Sequence, residues 1–242
     1  MKLLLKPLLI FRKFYISLFG KSNIKHLHAI RKFEIDIVIR YFKNKKNILE
    51  IGGGTGYQAK YINKKGFNIQ TIDLPNSNYL ERRVYPITNY DGKTIPFEDN
   101  KFDLIFSSNV LEHIEKIDAF EKEISRVCKE NGLVIHILPS SVWRVWTTVT
   151  HFLKYWTLAP VHGEKAENII DEIKIFHRNS WINHFRKNDW FIVQVIKNDI
   201  FYTGTSFLDA SLNIKVRYLL SRIIGSSCNI FILKKKNSSQ NL

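Results

Sequence analysis

The stretch Ile48-Leu49-Glu50-Ile51-Gly52-Gly53-Gly54-Thr55-Gly56 decides how the rest of the chain is read. Its first four residues are mainly branched and apolar, a short strand with both faces buried. The glycines that follow make a tight turn where the backbone lies open to a ligand. Tyr57 to Lys65 has helical spacing and stops at Gly66, a helix C-terminal cap. Phe67 to Ile72 alternates as a strand and ends at Asp73. Strand, glycine turn, helix and strand within about 30 residues form a βαβ unit.

The same alternation continues on both sides. Upstream, residues 24–43 place Leu27, Ile30, Phe33, Ile37 and Tyr41 at helical spacing. Downstream, strands are expected at 83–88 (weak), 102–107, 133–138, 191–196 and 229–233, with helical patterns at 111–128 and 180–188. Seven strands interleaved with helices imply an α/β fold: a doubly wound, mostly parallel, seven-stranded sheet. The chain divides into a basic N-terminal helical extension (1–46) and the half that carries the glycine turn (47–138). A helical insertion or lid (139–180), a helix and strands completing the same domain (181–233), and a frayed tail (234–242) follow.

The 242 residues are enough to bury a core without covalent staples, and 45% hydrophobic with 24% charged residues excludes wholesale disorder. Cys128 and Cys228 form no Cys-x-x-Cys pair, and no Cys/His cluster has metal-ligand spacing along the chain. A disulfide framework and a zinc finger are excluded, no metal is expected, and a reducing, cytoplasmic setting is. No run approaches the ~20 apolar residues that cross a bilayer.

The net charge of +15 is uneven: residues 1–46 carry +10, residues 47–133 carry −2 and residues 134–242 carry +7. Residues 1–20 mix Lys and Arg with Leu, Ile and Phe and lack a small-residue cleavage site. They suit either a helix packed on the domain or one in peripheral contact with anionic membrane.

A glycine turn is also an ordinary structural device, so its neighbours carry the reading. Glu50 lies in the strand before it, and Asp73 ends the next strand, placed to take both ribose hydroxyls of a nucleoside. The dinucleotide fingerprint G-x-G-x-x-G requires glycine at position 57, where this chain has Tyr57. A pyrophosphate would also be repelled by Glu50, whereas a sulfonium and an α-ammonium would be attracted.

Residues 48–56 resemble motif I of class I S-adenosylmethionine methyltransferases. Residues 90–114, YDGKTIPFEDNKFDLIFSSNVLEHI, resemble the second block of the type 11 methyltransferases. The resemblance covers residues 47–138 and implies S-adenosyl-L-methionine as cofactor. It implies that Gly52, Gly54 and Gly56 line the amino-acid end and that Glu50 places the loop and the ammonium. Asp73 would hold the ribose, Leu74 the adenine and Asp91 the adenine amino group, although Gly92 follows where many relatives carry Ala. Asn109 and Val110 would border the sulfonium. Two of these have plainer readings: Asp91 as a turn residue capped by its own backbone, and Asn109 as a helix N-cap. Glu112, His113 and His136 read as structural.

Beyond residue 138 the resemblance thins, as expected where such enzymes are fitted to their acceptors. Residues 141–156 read as a helix with one apolar stripe, Val142, Trp146, Val149, Leu153 and Trp156. Arg144, Thr148, His151 and Tyr155 fall on its other side. His151 is the first candidate for a catalytic base, with His113 and His162 behind it, and residues 161–170 read as a loop that closes over the site. Trp181 and Trp190 are expected to pack the sixth strand and its helix. The function expected is O-methylation of a small or lipid-linked acceptor, a glycan sugar or a quinone-like lipid. The alternatives are an RNA methyltransferase and a non-catalytic cofactor-binding partner subunit. The +15 charge favours the former, but no Asn-Pro-Pro-Tyr-type motif follows the fourth strand and no RNA-binding module is recognisable.

Overall fold

The structure is a computed structural model that describes residues 24–77, 79–205 and 211–236. The expectations for residues 1–20 and for most of the 234–242 tail lie outside the described residues. The strands are β1 (Ile48–Ile51), β2 (Ile69–Asp73), β3 (Thr88–Asn89), β4 (Phe102–Ser108), β5 (Cys128–Pro139), β6 (Trp190–Lys197) and β7 (Cys228–Lys235). They form one sheet in the order β3-β2-β1-β4-β5-β7-β6. Only β7 is antiparallel to its neighbours, β5 and β6. The apolar run Ile48–Ile51 is buried throughout because β1 sits at the sheet centre, between β2 and β4, with helices on both faces.

The helices are α1 (Ile24–Val38), α2 (Tyr57–Lys64), α3 (Ile117–Val127), α4 (Ser141–Tyr155), α5 (Ile169–Ile175), α6 (Arg178–Lys187) and α7 (Ile214–Ile224). Short 3-10 turns occupy Ile39–Phe42, Leu80–Arg82 and Leu111–His113. One side of the sheet packs Leu49 and Ile51 with Phe120 and Ile124 of α3 and Trp181 and Phe185 of α6, and Trp190 joins them as expected. The other packs Ile48 and Phe106 with Ile30 and Val38 of α1 and Ala59 and Ile62 of α2. β1 and β4 run parallel and the order of strand addition reverses between them, so the loops after both strands lie side by side at the carboxyl edge of the sheet, where open α/β sheets form a binding crevice.

Four local expectations change. The strand expected at 83–88 is reduced to Thr88–Asn89. The helical pattern at 111–128 splits into a 3-10 turn and α3, with an extended residue at Ile114 between them. On α1 the fully buried positions are Ile30, Glu34, Ile35 and Val38, while Phe33 and Ile37 are only partly covered. On α4 the expected stripe is turned outward: Val149, Leu153 and Trp156 are exposed, whereas Trp143, Arg144, Thr147, Thr150 and Lys154 are buried. The buried face of α4 is held by hydrogen bonds. Thr147 Oγ1 accepts from the Gly204 N–H at 2.9 Å, and Thr150 and Thr205 hydroxyls meet at 2.5 Å.

Candidate active site

The glycine turn leaves β1 with Gly52, Gly54 and Gly56 at φ +75°, +54° and +74°, conformations that favour glycine. Space adds a second constraint at Gly52, where a Cβ would stand 2.3 Å from Val110 Cγ2, and at Gly56, where it would stand 2.7 Å from Tyr85 Cβ. The β1 and β4 loops therefore touch, and Gly52 and Val110 meet at the bottom of the crevice. The Asp73 carboxylate closes the turn from β2, accepting from the Gly54 N–H at 3.0 Å and the Leu74 N–H at 2.9 Å. A carboxylate oxygen has room for more than one donor, so Asp73 retains acceptor capacity toward a ligand.

Glu50 lies one residue from the turn, in register with Thr71 of β2 and Phe106 of β4. It is buried, and neither carboxylate oxygen has a hydrogen-bond partner, although the Thr71 side chain is nearby. Burial pushes its pKa up to about 8, and the neighbouring Asp73 charge adds to that. A buried carboxyl without a partner is costly unless a cation or a donor arrives. An α-ammonium is such a group.

Beyond the end of β2, Leu74 is exposed and packs on the 90–92 loop, where a Cβ at Gly92 (φ +76°) would lie 2.8 Å from Leu74 Cδ2. Asp91 caps its own turn. One of its oxygens accepts from the Lys93 and Thr94 N–H groups, both at 2.8 Å, which pulls its pKa down.

Asn109 is not a helix cap. It adopts φ +55°, its N–H donates to the Ile137 carbonyl at 2.8 Å, and the following turn is capped at Val110. Its side-chain oxygen, facing α1, accepts from Arg31 Nη1 at 2.7 Å and Nη2 at 3.0 Å. Arg31 also pairs with the buried Glu34 at 2.7 Å, and Glu34 takes the Asn198 amide at 2.9 Å and the Tyr202 hydroxyl at 3.1 Å. A second α1 residue, His28, stacks on Tyr57 at 3.9 Å and 3°. Thus α1 reaches from Tyr57, just after the glycine turn, to Asn109 of the β4 loop. Sequence reading did not single out Arg31. The available signal was an Arg–Glu pair one turn apart on the face that carries Ile30 and Ile35.

The other side of the β4 loop meets the insertion. Gly163 packs so closely on Glu112 that a Cβ would be 2.7 Å from the Glu112 carbonyl, and the Glu164 N–H donates to that carbonyl at 3.3 Å. Glu172 of α5 holds this segment: one oxygen accepts from the His162 and Gly163 N–H groups, both at 2.7 Å, and the other pairs with Arg144. Arg144 is therefore a buried anchor of the insertion, and it also donates to the Pro160 carbonyl at 2.9 Å.

His113 and His162, about 50 residues apart in sequence, bring their rings to 4.6 Å, and His162 also lies 4.8 Å from the Trp143 ring. Burial lowers both imidazole pKa values, that of His162 to about 4 with help from His113 and Arg144. Glu112 beneath them is buried with both oxygens unpartnered, and burial raises it to about 8. His136 hydrogen-bonds Ser107 at 2.7 Å inside the sheet. His151 stands elsewhere, its Nδ1 3.0 Å from the Thr157 carbonyl and its ring against Tyr155. It is eleven residues beyond the Ser140 cap, about 16 Å along α4 from the sheet edge.

A family model described as a methyltransferase domain matches residues 26–195. The chain is 30% identical over 228 residues to the ubiquinone biosynthesis O-methyltransferase of Rickettsia prowazekii, covering 84% of this chain and 85% of that one. An uncharacterised protein of Methanocaldococcus jannaschii is 29% identical over 193 residues, 79% of this chain and 73% of its own. For the ubiquinone biosynthesis O-methyltransferase of Rickettsia typhi, 30% identical over 122 residues, the match spans 50% of that protein. Among solved structures, a SAM-dependent methyltransferase from Archaeoglobus fulgidus superposes with a TM-score of 0.56 at 16% identity, over 92% of this chain and 98% of that one. The methyltransferase in complex with the Trm112 activator of Haloferax volcanii gives a TM-score of 0.61 at 12% identity, over 92% and 96%.

Proposed function

This chain belongs to the methyltransferase-domain family as a class I S-adenosylmethionine-dependent enzyme, and on that footing we propose that it methylates an oxygen of a small or lipid-linked acceptor. A quinone-like phenol is the first acceptor class and a glycan hydroxyl the second. The observation that carries the reading is the convergence of Glu112, His113 and His162 beside the donor crevice. An O–H acceptor must lose its proton, and these are the groups able to take it up or polarise it. Glu112 and His113 follow Val110, which touches Gly52, within one turn of chain, and His162 reaches them from the insertion. The quinone-type relatives support a phenolic acceptor.

When bound, S-adenosylmethionine supplies a methyl group already activated on a sulfonium. The chain's own contribution is to hold donor and acceptor in line and to keep water away. Glu50 would face the ammonium, Asp73 the ribose, Leu74 and the 90–92 loop the adenine, and Asn109 and Val110 the sulfonium. Arg31 adds a cation at the amino-acid end, suited to the donor's α-carboxylate. The Arg144–Glu172 pair holds the insertion against the β4 loop.

Two measurements test this. Calorimetry with S-adenosylhomocysteine should show micromolar binding, with NADH as a silent control. Arg31→Met should weaken that binding about tenfold, the worth of one charge-assisted contact; unchanged affinity would place the carboxylate elsewhere. Transfer assays with labelled donor should then put label into a polyprenyl catechol or a sugar hydroxyl as an ether. Label in RNA instead would overturn the acceptor assignment.

A further inference from the structure

We infer that the cleft between the start of α3, the α5–α6 junction and Lys165 of the insertion binds an anionic oxygen group, a carboxylate or phosphate carried on an apolar body. The cleft holds about 310 Å³, and its walls include Ile117, Lys165, Lys174, Ile175, Trp181 and His184. None of the residues proposed for the donor lines it. It adjoins the turn after β4, because the Lys165 ammonium donates to the Leu111 carbonyl at 3.4 Å, one residue before Glu112.

The cleft holds more donors than acceptors. Among the described residues Lys165 has no ion pair: its ammonium lies over the Trp181 ring at 5.0 Å, and burial lowers its pKa to about 8. Trp181 is 2% exposed, and its indole N–H has no hydrogen-bond partner, a costly state for a buried donor. Ser180 and Trp181 also lie in the first turn of α6, at the positive end of the helix dipole. The carboxylates nearby are already taken. Glu121 accepts from the Trp190 indole at 2.8 Å and meets His184 at 3.3 Å. Asp118 takes Lys187 at 2.8 Å and Asn188 at 3.0 Å, and Asp171 takes Lys174 at 3.4 Å. Glu172 holds Arg144 and two backbone N–H groups. Glu112, raised by burial to about 8, keeps its proton near neutral pH and offers Lys165 no charge.

One ammonium and one indole N–H beside apolar walls match an oxyanion on a ring or short chain, with the oxyanion at Lys165 and the body against Ile117 and Ile175. The volume is at the low end for a small-molecule site, room for one ring and its acid group. The site deepens the O-methylation reading and rests on it for its role. Lys165 and the His113–His162 pair border the same turn, so the group held here would be an acid group of the acceptor. Holding it would fix which oxygen of the acceptor faces the donor. The acceptor class narrows accordingly, to an acidic phenol or a phosphorylated sugar.

The test titrates the full chain with three probes that share one ring, benzoate, phenyl phosphate and the neutral benzamide, followed by saturation-transfer NMR. Benzoate or phenyl phosphate should bind at least about tenfold more tightly than benzamide, the worth of one charge-assisted contact, and the tighter of the two identifies the acid group. Lys165→Met should erase that preference and leave benzamide binding unchanged, whereas Lys165→Arg should keep it. Trp181→Phe, which keeps a ring and removes the N–H, should weaken the anion about threefold while far-UV circular dichroism stays native. Lys60→Met, exposed on α2, should change nothing. Equal binding of all three probes to the wild type, or an anion preference that survives Lys165→Met, overturns the site. S-adenosylhomocysteine calorimetry on the same proteins keeps the two readings apart. Its failure to bind, with the anion preference intact, would sink the methyltransferase reading; its binding without an anion preference would sink only this site.

Discussion

Asp73→Ala is expected to lower S-adenosylhomocysteine affinity at least 100-fold. Two charge-assisted hydrogen bonds to ribose hydroxyls contribute about 1.5–3 kcal/mol each, and 2.7 kcal/mol is already a factor of 100. The same carboxylate accepts from the Gly54 N–H, so the substitution also releases the turn that cradles the ligand. Asp73→Asn, which keeps one acceptor oxygen, should fall between the two. Calorimetry reads the affinities and a thermal melt shows that the fold survives. Affinity within threefold of wild type in a folded Asp73→Ala protein would move the donor site away from this crevice.

Glu50→Gln is expected to stabilise the ligand-free protein while removing cofactor binding. The folded pKa of Glu50 is about 8 against an ordinary 4.5, so the folded state holds the proton more tightly than the unfolded state. Stability from such a group is full at low pH and is lost as pH rises from about 4.5 to 8. At 1.36 kcal/mol per pKa unit the loss by pH 8 is about 4 kcal/mol. Glu112, also at about 8, has the same sign.

The imidazoles of His136 and His162, whose pKa values desolvation lowers, act oppositely, but their contribution is complete once pH exceeds 6.5, and Lys165 acts above 8. Between 6.5 and 8 the two carboxyls set the slope. The Gln variant should melt at least about 5 °C above wild type at pH 8, and the gap should narrow toward pH 5. Parallel melting curves across that range would show that Glu50 finds a partner in the free protein.

Much of the sheet could be read from sequence because buried parallel strands are apolar on both faces. Ile48–Ile51 and Phe102–Phe106 leave no other plausible assignment. The residues proposed for the donor could be read for a related reason, since a glycine turn flanked by Glu50 and Asp73 is local in sequence. What failed was the orientation of α4. Hydrophobic periodicity assumes that the apolar stripe faces the core, and here threonines, Arg144 and Lys154 do, drawn in by partners at residues 204, 205 and 172. Those partners come from distant segments, and no window along the chain contains both sides. Arg31 and the Glu112–His113–His162 group were hidden for the same reason, each joined across the fold by the single short loop after β4.

That loop has two different neighbours. Asn109 is gripped by α1, which also lies over the glycine turn, and three residues later Glu112 is covered by the insertion that Glu172 ties down. The two covers are built from separate pieces of chain and share no latch among the contacts described. On the proposed function each reactant would then have its own door, the donor past α1 and the acceptor past residues 157–168, and initial-rate kinetics are expected to show random-order binding.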